Sequence, residues 1–186
     1  MAEGSINRGL SVRRGFFPQV IQPHERFDII VFNDVFEHLP DVLETLEACR
    51  VHLNDEGLLV LNLPNSKGLI YNISKILKKL GLTYFFERMW QKNLPSPHLH
   101  YFNHGNLNTL LNNSGFTELT FGYLDVFYFK GFFDRIMAIK NVPKYVKFLA
   151  YAGVVIILPL RLVSNDIMYL IARKGRKDTI TLQPDS

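Results

Sequence analysis

The 186-residue sequence has no Gly-x-Gly pair, only one cysteine, and no uninterrupted apolar run long enough to cross a bilayer. The first absence excludes the glycine-rich turn through which a backbone usually approaches a nucleotide. The second excludes an intramolecular disulfide and any multi-cysteine metal centre, which fits a reducing, cytoplasmic setting. Cys49 falls in a helical pattern and is expected to be a small core residue. The N-terminus lacks the basic-then-apolar pattern of a secretory signal. The apolar stretch 148–160 carries no charge, but it contains Pro159 and is followed by Arg161; at 13 residues it falls short of the roughly 20 needed to span. It is expected to be a buried or interfacial helix. Charge of one sign is also scarce. The net +4 is too small for a nucleic-acid footprint, so no nucleic-acid partner is expected. Part of that excess sits in Arg173, Lys174, Arg176 and Lys177, so 173–186 reads as a basic, flexible tail.

What is present is apolar and aromatic. With 47% hydrophobic and 13% aromatic residues, the chain can bury one core, and one domain over 1–186 is the default. Turn residues cut it into short pieces in strand, helix, strand order, which points to an α/β fold. Leu10–Arg13 is expected to be a short strand ending at Gly15. Phe27–Phe32 is an almost unbroken apolar run, the mark of a parallel strand buried on both faces. After Pro40, Asp41 can cap a helix, with Glu44 reaching back to complete a capping box. Val42, Leu43, Leu46, Cys49 and Leu53 then share one helical face. Asn54 to Gly57 reads as a turn and Leu58–Leu63 as a second buried strand. The three elements form a right-handed βαβ unit.

From Ser66 to Leu80 the apolar residues recur at helical spacing opposite Lys67, Lys75, Lys78 and Lys79, and Gly81 is the stop. The basic side of this helix is expected to face solvent, with peripheral contact to a lipid surface or an acidic ligand as the sharper reading. Tyr84–Phe102 reads as a loop rich in aromatics and prolines. A helix over Gly105–Ser114, a strand over Thr117–Leu124 and a last strand over Ile167–Ala172 complete the pattern, with a helical insert over 125–163.

The segment FDIIVFNDVFEHLPDVLETLEACRVHLNDEGLLVLNLPN resembles the fourth strand, following helix and fifth strand of class I S-adenosylmethionine-dependent methyltransferases. Its Glu-His-Leu-Pro turn is the most specific part and is similar to that of the ubiquinone-biosynthesis-like, type 11 and type 23 branch. HLHYFNHGNLNTLLNNSGF resembles the same branch's histidine-containing segment, helix and stop before strand six. SNDIMYLIARKG resembles strand seven, and NRGLSVRRGFFPQ the run into strand three. The resemblance implies a Rossmann-like sheet that lacks its first two strands, an N-terminally incomplete version of the family's 3-2-1-4-5-7-6 order. In such a sheet the fourth strand would be an exposed apolar edge, which natural proteins avoid.

Ligands of open α/β sheets bind beyond the carboxyl ends of the strands. The resemblance therefore implies that Asn33, Asp34 and Val35 line an S-adenosylmethionine pocket, with Gly15 and Phe16 near its adenine. Glu37 and His38 would pack against the methionine end or orient the substrate; as residues of a strand-to-helix turn they could equally cap the helix. Transfer to an oxygen needs a base, and histidine titrates near neutrality. Of His98, His100 and His104, His98 matches the family's histidine best, and His98 and His38 are the candidate catalytic residues. No cysteine or acidic cluster near these histidines completes a tetrahedral set, so no metal is expected. The implied function is methyl transfer, chiefly O-methylation of a small molecule or of a glycan- or lipid-linked intermediate. Phe127, Tyr128, Phe129, Phe132 and Phe133 of the insert could serve as a lid or as core. Three explanations stay open for the missing strands: an incomplete reading frame of a longer enzyme, pairing with another chain through the open sheet edge as a non-catalytic interaction module, or a re-paired sheet that still binds a ligand.

Overall fold

The structure, a computed structural model, describes residues 6–124, 145, 148 and 165–175. Four strands form one sheet: β1 (Phe27–Asn33), β2 (Leu53–Pro64), β3 (Phe116–Leu124) and β4 (Ile167–Lys174). Their spatial order is β1-β2-β4-β3. β1 and β2 are parallel, and β4 runs antiparallel to both β2 and β3. This is the 4-5-7-6 half of the expected order, with β1 at the open edge. Four helices are described: α1 (Val42–His52), α2 (Leu69–Lys79), α3 (Thr83–Met89) and α4 (His104–Asn113).

The core lies on one face of the sheet. Alternate residues Leu59, Leu61 and Leu63 of β2 and Met168, Leu170 and Ala172 of β4 are fully buried there, beneath Leu46 and Cys49 of α1 and Leu107 and Leu111 of α4. Burial pushes the Cys49 thiol up to about 12, so it stays protonated as a small apolar residue. α1 begins at Asp41, whose carboxylate accepts the Glu44 N–H at 2.9 Å. α4 has the full capping box, Asn103 with Asn106, and stops at Gly115 in the left-handed region at φ 76°.

Several expectations change. Leu10–Arg13 forms no strand, because no neighbouring strand is there to take its hydrogen bonds. β1 is not buried on both faces: Ile29 and Val31 are more than half exposed, as an edge strand covered on one side must be. The residues Asn54–Gly57 do not interrupt β2; they are absorbed as an irregularity between the Phe27–Leu53 and Ile29–Leu58 pairs, with Glu56 at φ 63°. On α1, Leu43 turns outward and His52 is buried in its place. The Tyr84–Phe102 segment begins as helix α3 rather than loop. Arg173 and Lys174 are not tail but the end of β4, where Arg173 pairs with Glu56 at 3.0 Å and Lys174 donates to the Leu53 carbonyl at 2.7 Å. The 125–163 insert, apart from Tyr145 and Phe148, and the tail beyond Gly175 lie outside the described residues. Among the described residues, no helix is long and apolar enough to cross a membrane.

Candidate functional site

The carboxyl end of β1 is held by a row of rings. Phe17 meets Phe32 edge-on at 5.6 Å, Phe32 meets Phe36 at 5.7 Å, and Phe36 meets Phe102 at 5.7 Å. Phe17 thereby brings the segment carrying Gly15 and the exposed Phe16 beside the end of β1. Asn33 accepts from the Asn62 amide at 2.6 Å, and the Asp34 N–H donates to the Asn62 carbonyl at 2.9 Å. Asp34 then enters the left-handed region at φ 51° and turns the chain off the sheet. Asn33, Asp34 and Val35 are all exposed at this edge.

The next three residues, Phe36–His38, make one 3-10 turn. The Glu-His-Leu-Pro motif closes against a second segment. The Glu37 carbonyl accepts from the N–H groups of Leu99 and His100, at 2.8 and 3.1 Å, and the His100 ring donates to the Leu39 carbonyl at 3.0 Å. His38 donates through Nδ1 to the Pro97 carbonyl at 2.8 Å, with Ser96 Oγ at 3.2 Å. This clamp fixes the His38 ring and leaves Nε2 with the lone pair in the neutral form.

Three polar side chains converge here. The His38 and His98 rings lie 4.6 Å apart, and Glu37 Oε1 stands 3.9 Å from His38 Nε2 and 4.0 Å from His98 Nε2. Those distances are too long for hydrogen bonds. Glu37 is 1% exposed and its Oε2 has no partner. Burial accordingly raises its pKa, so the carboxyl tends to keep its proton. Burial, and then the neighbouring His38, lower the pKa of His98 and keep that ring neutral. Tyr101 donates its hydroxyl to the Met89 carbonyl, so it accepts from His98 Nδ1 at 3.3 Å; His98 Nε2 then accepts from the Gln91 amide at 2.8 Å. Both nitrogens of His98 are engaged, whereas His38 Nε2 is not.

Of the three loop histidines, only His98 joins this cluster. His100 clamps the turn, and His104 pairs with Glu118 at 2.8 Å while stacking on Phe121. The expectation of no metal site rested on finding no cysteine or acidic cluster that completes a tetrahedral set with these histidines. Folding brings a different set of three together: donor atoms of Glu37, His38 and His98 all lie within 4.8 Å of one another. That set joins residues about sixty positions apart, which spacing along the chain could not reveal.

Beside His98 opens a cavity of about 390 Å³ lined by Lys78, Phe86, Trp90, Lys92, Pro97 and His98. Behind its Trp90 wall, Tyr101 packs between Tyr71 and Trp90, and Lys78 lies 4.2 Å above the Phe86 ring. Of these, Lys78 was marked in the sequence only as part of a basic helix face, and Trp90, Gln91 and Tyr101 did not stand out; the crowd of aromatics between Tyr84 and Phe102 was the available signal. A larger cavity, about 880 Å³, lies at the opposite end of the strands around Arg50, Phe116 and Arg173, away from this cluster.

A family model described as a methyltransferase domain matches residues 2–120. The chain belongs to the class I S-adenosylmethionine-dependent methyltransferases. No curated protein sequence matches this methyltransferase at a significant level. Among solved structures it is similar to a Galdieria sulphuraria protein provisionally assigned as a sarcosine dimethylglycine methyltransferase. The identity is 16% and the TM-score 0.56, over 93% of this chain and 64% of that one. It is also similar to a Thermotoga maritima methyltransferase provisionally assigned to histamine N-methylation, with 14% identity and a TM-score of 0.55 over 94% and 69% of the two chains. At these identities the likeness establishes the fold alone. This methyltransferase thus spans less than two thirds of the Galdieria protein's length. Its exposed Asn33–Val35 edge, left open by the turn at Asp34, suits the part of the cofactor that lies beyond this strand. The glycine-rich turn for the remainder is not in this sequence.

Proposed function

We propose that this chain acts as an S-adenosylmethionine-dependent methyltransferase on an oxygen of a small molecule or of a glycan- or lipid-linked intermediate. The cofactor supplies an electrophilic methyl group on a positively charged sulfur. Asn33, Asp34 and Val35 would hold it along the carboxyl edge of β1, with Glu37 and His38 next to its methionine end and Gly15 and Phe16 at the adenine side. The observation that carries the reading is His38: its Nδ1 is pinned to Pro97, and its Nε2 is unengaged within the cluster at that edge. In the transfer the acceptor oxygen would bond to the methyl carbon while the methyl–sulfur bond breaks and its electron pair leaves with a neutral thioether, and His38 Nε2 would take the hydroxyl proton. The fixed ring contributes orientation as well as basicity. His98 supports His38 by ring contact, since its own nitrogens are committed to Gln91 and Tyr101.

The adjoining cavity favours an acceptor with an apolar or aromatic part and a negative group. Phe86 and Trp90 supply the apolar wall and Lys78 the charge, while Lys92 and Glu87, which also line the cavity, pair with each other at 2.5 Å. Isothermal titration with S-adenosylmethionine tests the binding half of the proposal: saturable heat from the 186-residue chain that is lost in Asp34→Ala supports it, and a flat titration overturns it. The transfer half is read by incubating the protein with methyl-labelled cofactor and an anionic lipid extract. Label should enter the organic phase, and a chelator should leave the rate unchanged. Abolition by the chelator with recovery on adding zinc or manganese would reassign Glu37, His38 and His98 to a metal.

A further inference from the structure

Helix α2 is built inside out. Its apolar residues Leu69, Ile70, Ile73, Ile76 and Leu77, continued by Leu80, recur every three or four positions and so occupy one face. In a helix on the surface of a globular protein that face normally points to the core. Here the inward side is carried instead by Tyr71, which packs on Phe86 and Tyr101, by Ser74, the helix's one fully buried residue, and by Lys78 over Phe86. The apolar stripe is left facing out: Ile73 is 41% exposed, Ile76 58% and Leu80 72%. Leu82, Tyr84 and Phe85, at the turn into α3, extend the same exposed surface.

The charge around the stripe is one-sided. Between Lys67 and Lys92 there are six cations, Lys67, Lys75, Lys78, Lys79, Arg88 and Lys92, against one carboxylate, Glu87. Lys92 takes that carboxylate at 2.5 Å, so the other five cations of the segment have no carboxylate within it, in a chain whose total excess is +4. A second copy of the chain docking on this face would set cations against cations. An anionic bilayer offers what the surface lacks: hydrocarbon for the isoleucines and leucines, an interface suited to Tyr84, and negative headgroups for the lysines.

We propose that the α2–α3 hairpin is a membrane-docking surface, with α2 lying in the plane of an anionic lipid leaflet and its outward isoleucine stripe immersed in the headgroup region. The cavity beside His98 shares Lys78 and Phe86 with this hairpin, on the side of α2 away from the stripe. The proposal stands on the exposed stripe and the charge, and does not depend on methyl transfer.

Flotation of the full chain with vesicles tests it. Binding to phosphatidylcholine vesicles containing one quarter phosphatidylglycerol should exceed binding to pure phosphatidylcholine by about tenfold at low salt, and should fall at high salt. The double substitution Ile76→Glu, Leu80→Glu should abolish flotation while leaving circular dichroism and melting unchanged, since both side chains are exposed. Lys75→Glu, Lys79→Glu should remove the preference for anionic vesicles without touching the stripe, which keeps the test decisive if the first variant folds poorly. Three results would overturn the proposal: no flotation of the wild type, flotation unchanged in both variants, or light scattering that shows lipid-free self-association abolished by the Ile76→Glu, Leu80→Glu pair.

Discussion

Glu37 is buried with one carboxyl oxygen unpartnered, and its pKa is raised above the 4.5 of a free glutamate. Its contribution to stability is therefore fully present below 4.5 and is lost as pH rises through the higher folded value. Glu37→Gln should remove that loss. Denaturant midpoints measured from acid to neutral pH should show the wild type falling behind the variant by about 1–3 kcal/mol, the usual cost of an unpaired buried polar group. His98 acts with the opposite sign. Its pKa is lowered from 6.5, so its contribution is present above 6.5 and is lost as pH falls through the folded value. His98→Gln should flatten the acid side of the same curve. For catalysis the two histidines should separate: His38→Ala is expected to lower kcat by about 10²–10⁴-fold with cofactor affinity intact, as removal of a positioned base does. His98→Ala should act mainly by loosening the Gln91–Tyr101 network, and so should show in melting temperature as well as rate.

The elements were legible where local chemistry dominates. Asp41 before α1 could be read as a cap because a cap needs only its own side chain and the next turn; Asn103 before α4 carries the same kind of local signal, although the expected helix began only at Gly105. Asp41→Ala should cost about 1 kcal/mol in a denaturant titration. Elements set by distant partners were not legible. α2 starts at Leu69 because Asp166, nearly a hundred residues away, accepts the Ile70 N–H at 2.7 Å, and Gly68 fits beneath it. A Cβ at Gly68 would stand 2.5 Å from Asp166 Oδ1 and 2.8 Å from its Cα. Gly68→Ala should therefore destabilise by about 1–3 kcal/mol through overpacking, and a variant as stable as the wild type would show that this junction is softer than its geometry implies. The direction α2 faces was likewise beyond periodicity, which shows that a stripe exists and not which side the aromatic cluster of Tyr71, Phe86 and Tyr101 will take.

At the scale of the whole molecule, β1 is the open edge of a four-stranded sheet while β2 and β4 have neighbours on both sides. Amide hydrogen exchange should show β1 exchanging well ahead of β2 and β4, because opening an edge strand breaks one ladder rather than two. Comparable protection across all strands would mean that β1 is covered in solution. The sequence by itself determined that a strand, a helix and a second strand follow one another from Phe27 to Asn65, though not that the second begins at Leu53, and it determined the family they signal and the turn at Asn33–His38, since these depend on apolar runs, caps and a short motif read along the chain. The strand order implied by the family resemblance already put β4 between β2 and β3; only the tertiary structure decided that Glu37 and His38 meet His98 in one cluster. It also decided that His100 and His104 stand apart from that cluster, and that among the described residues none covers Ile73, Ile76 and Leu80 on the apolar side of α2. Each of these depends on contacts between residues tens of positions apart, and such contacts are set by packing of the whole chain rather than by any local preference.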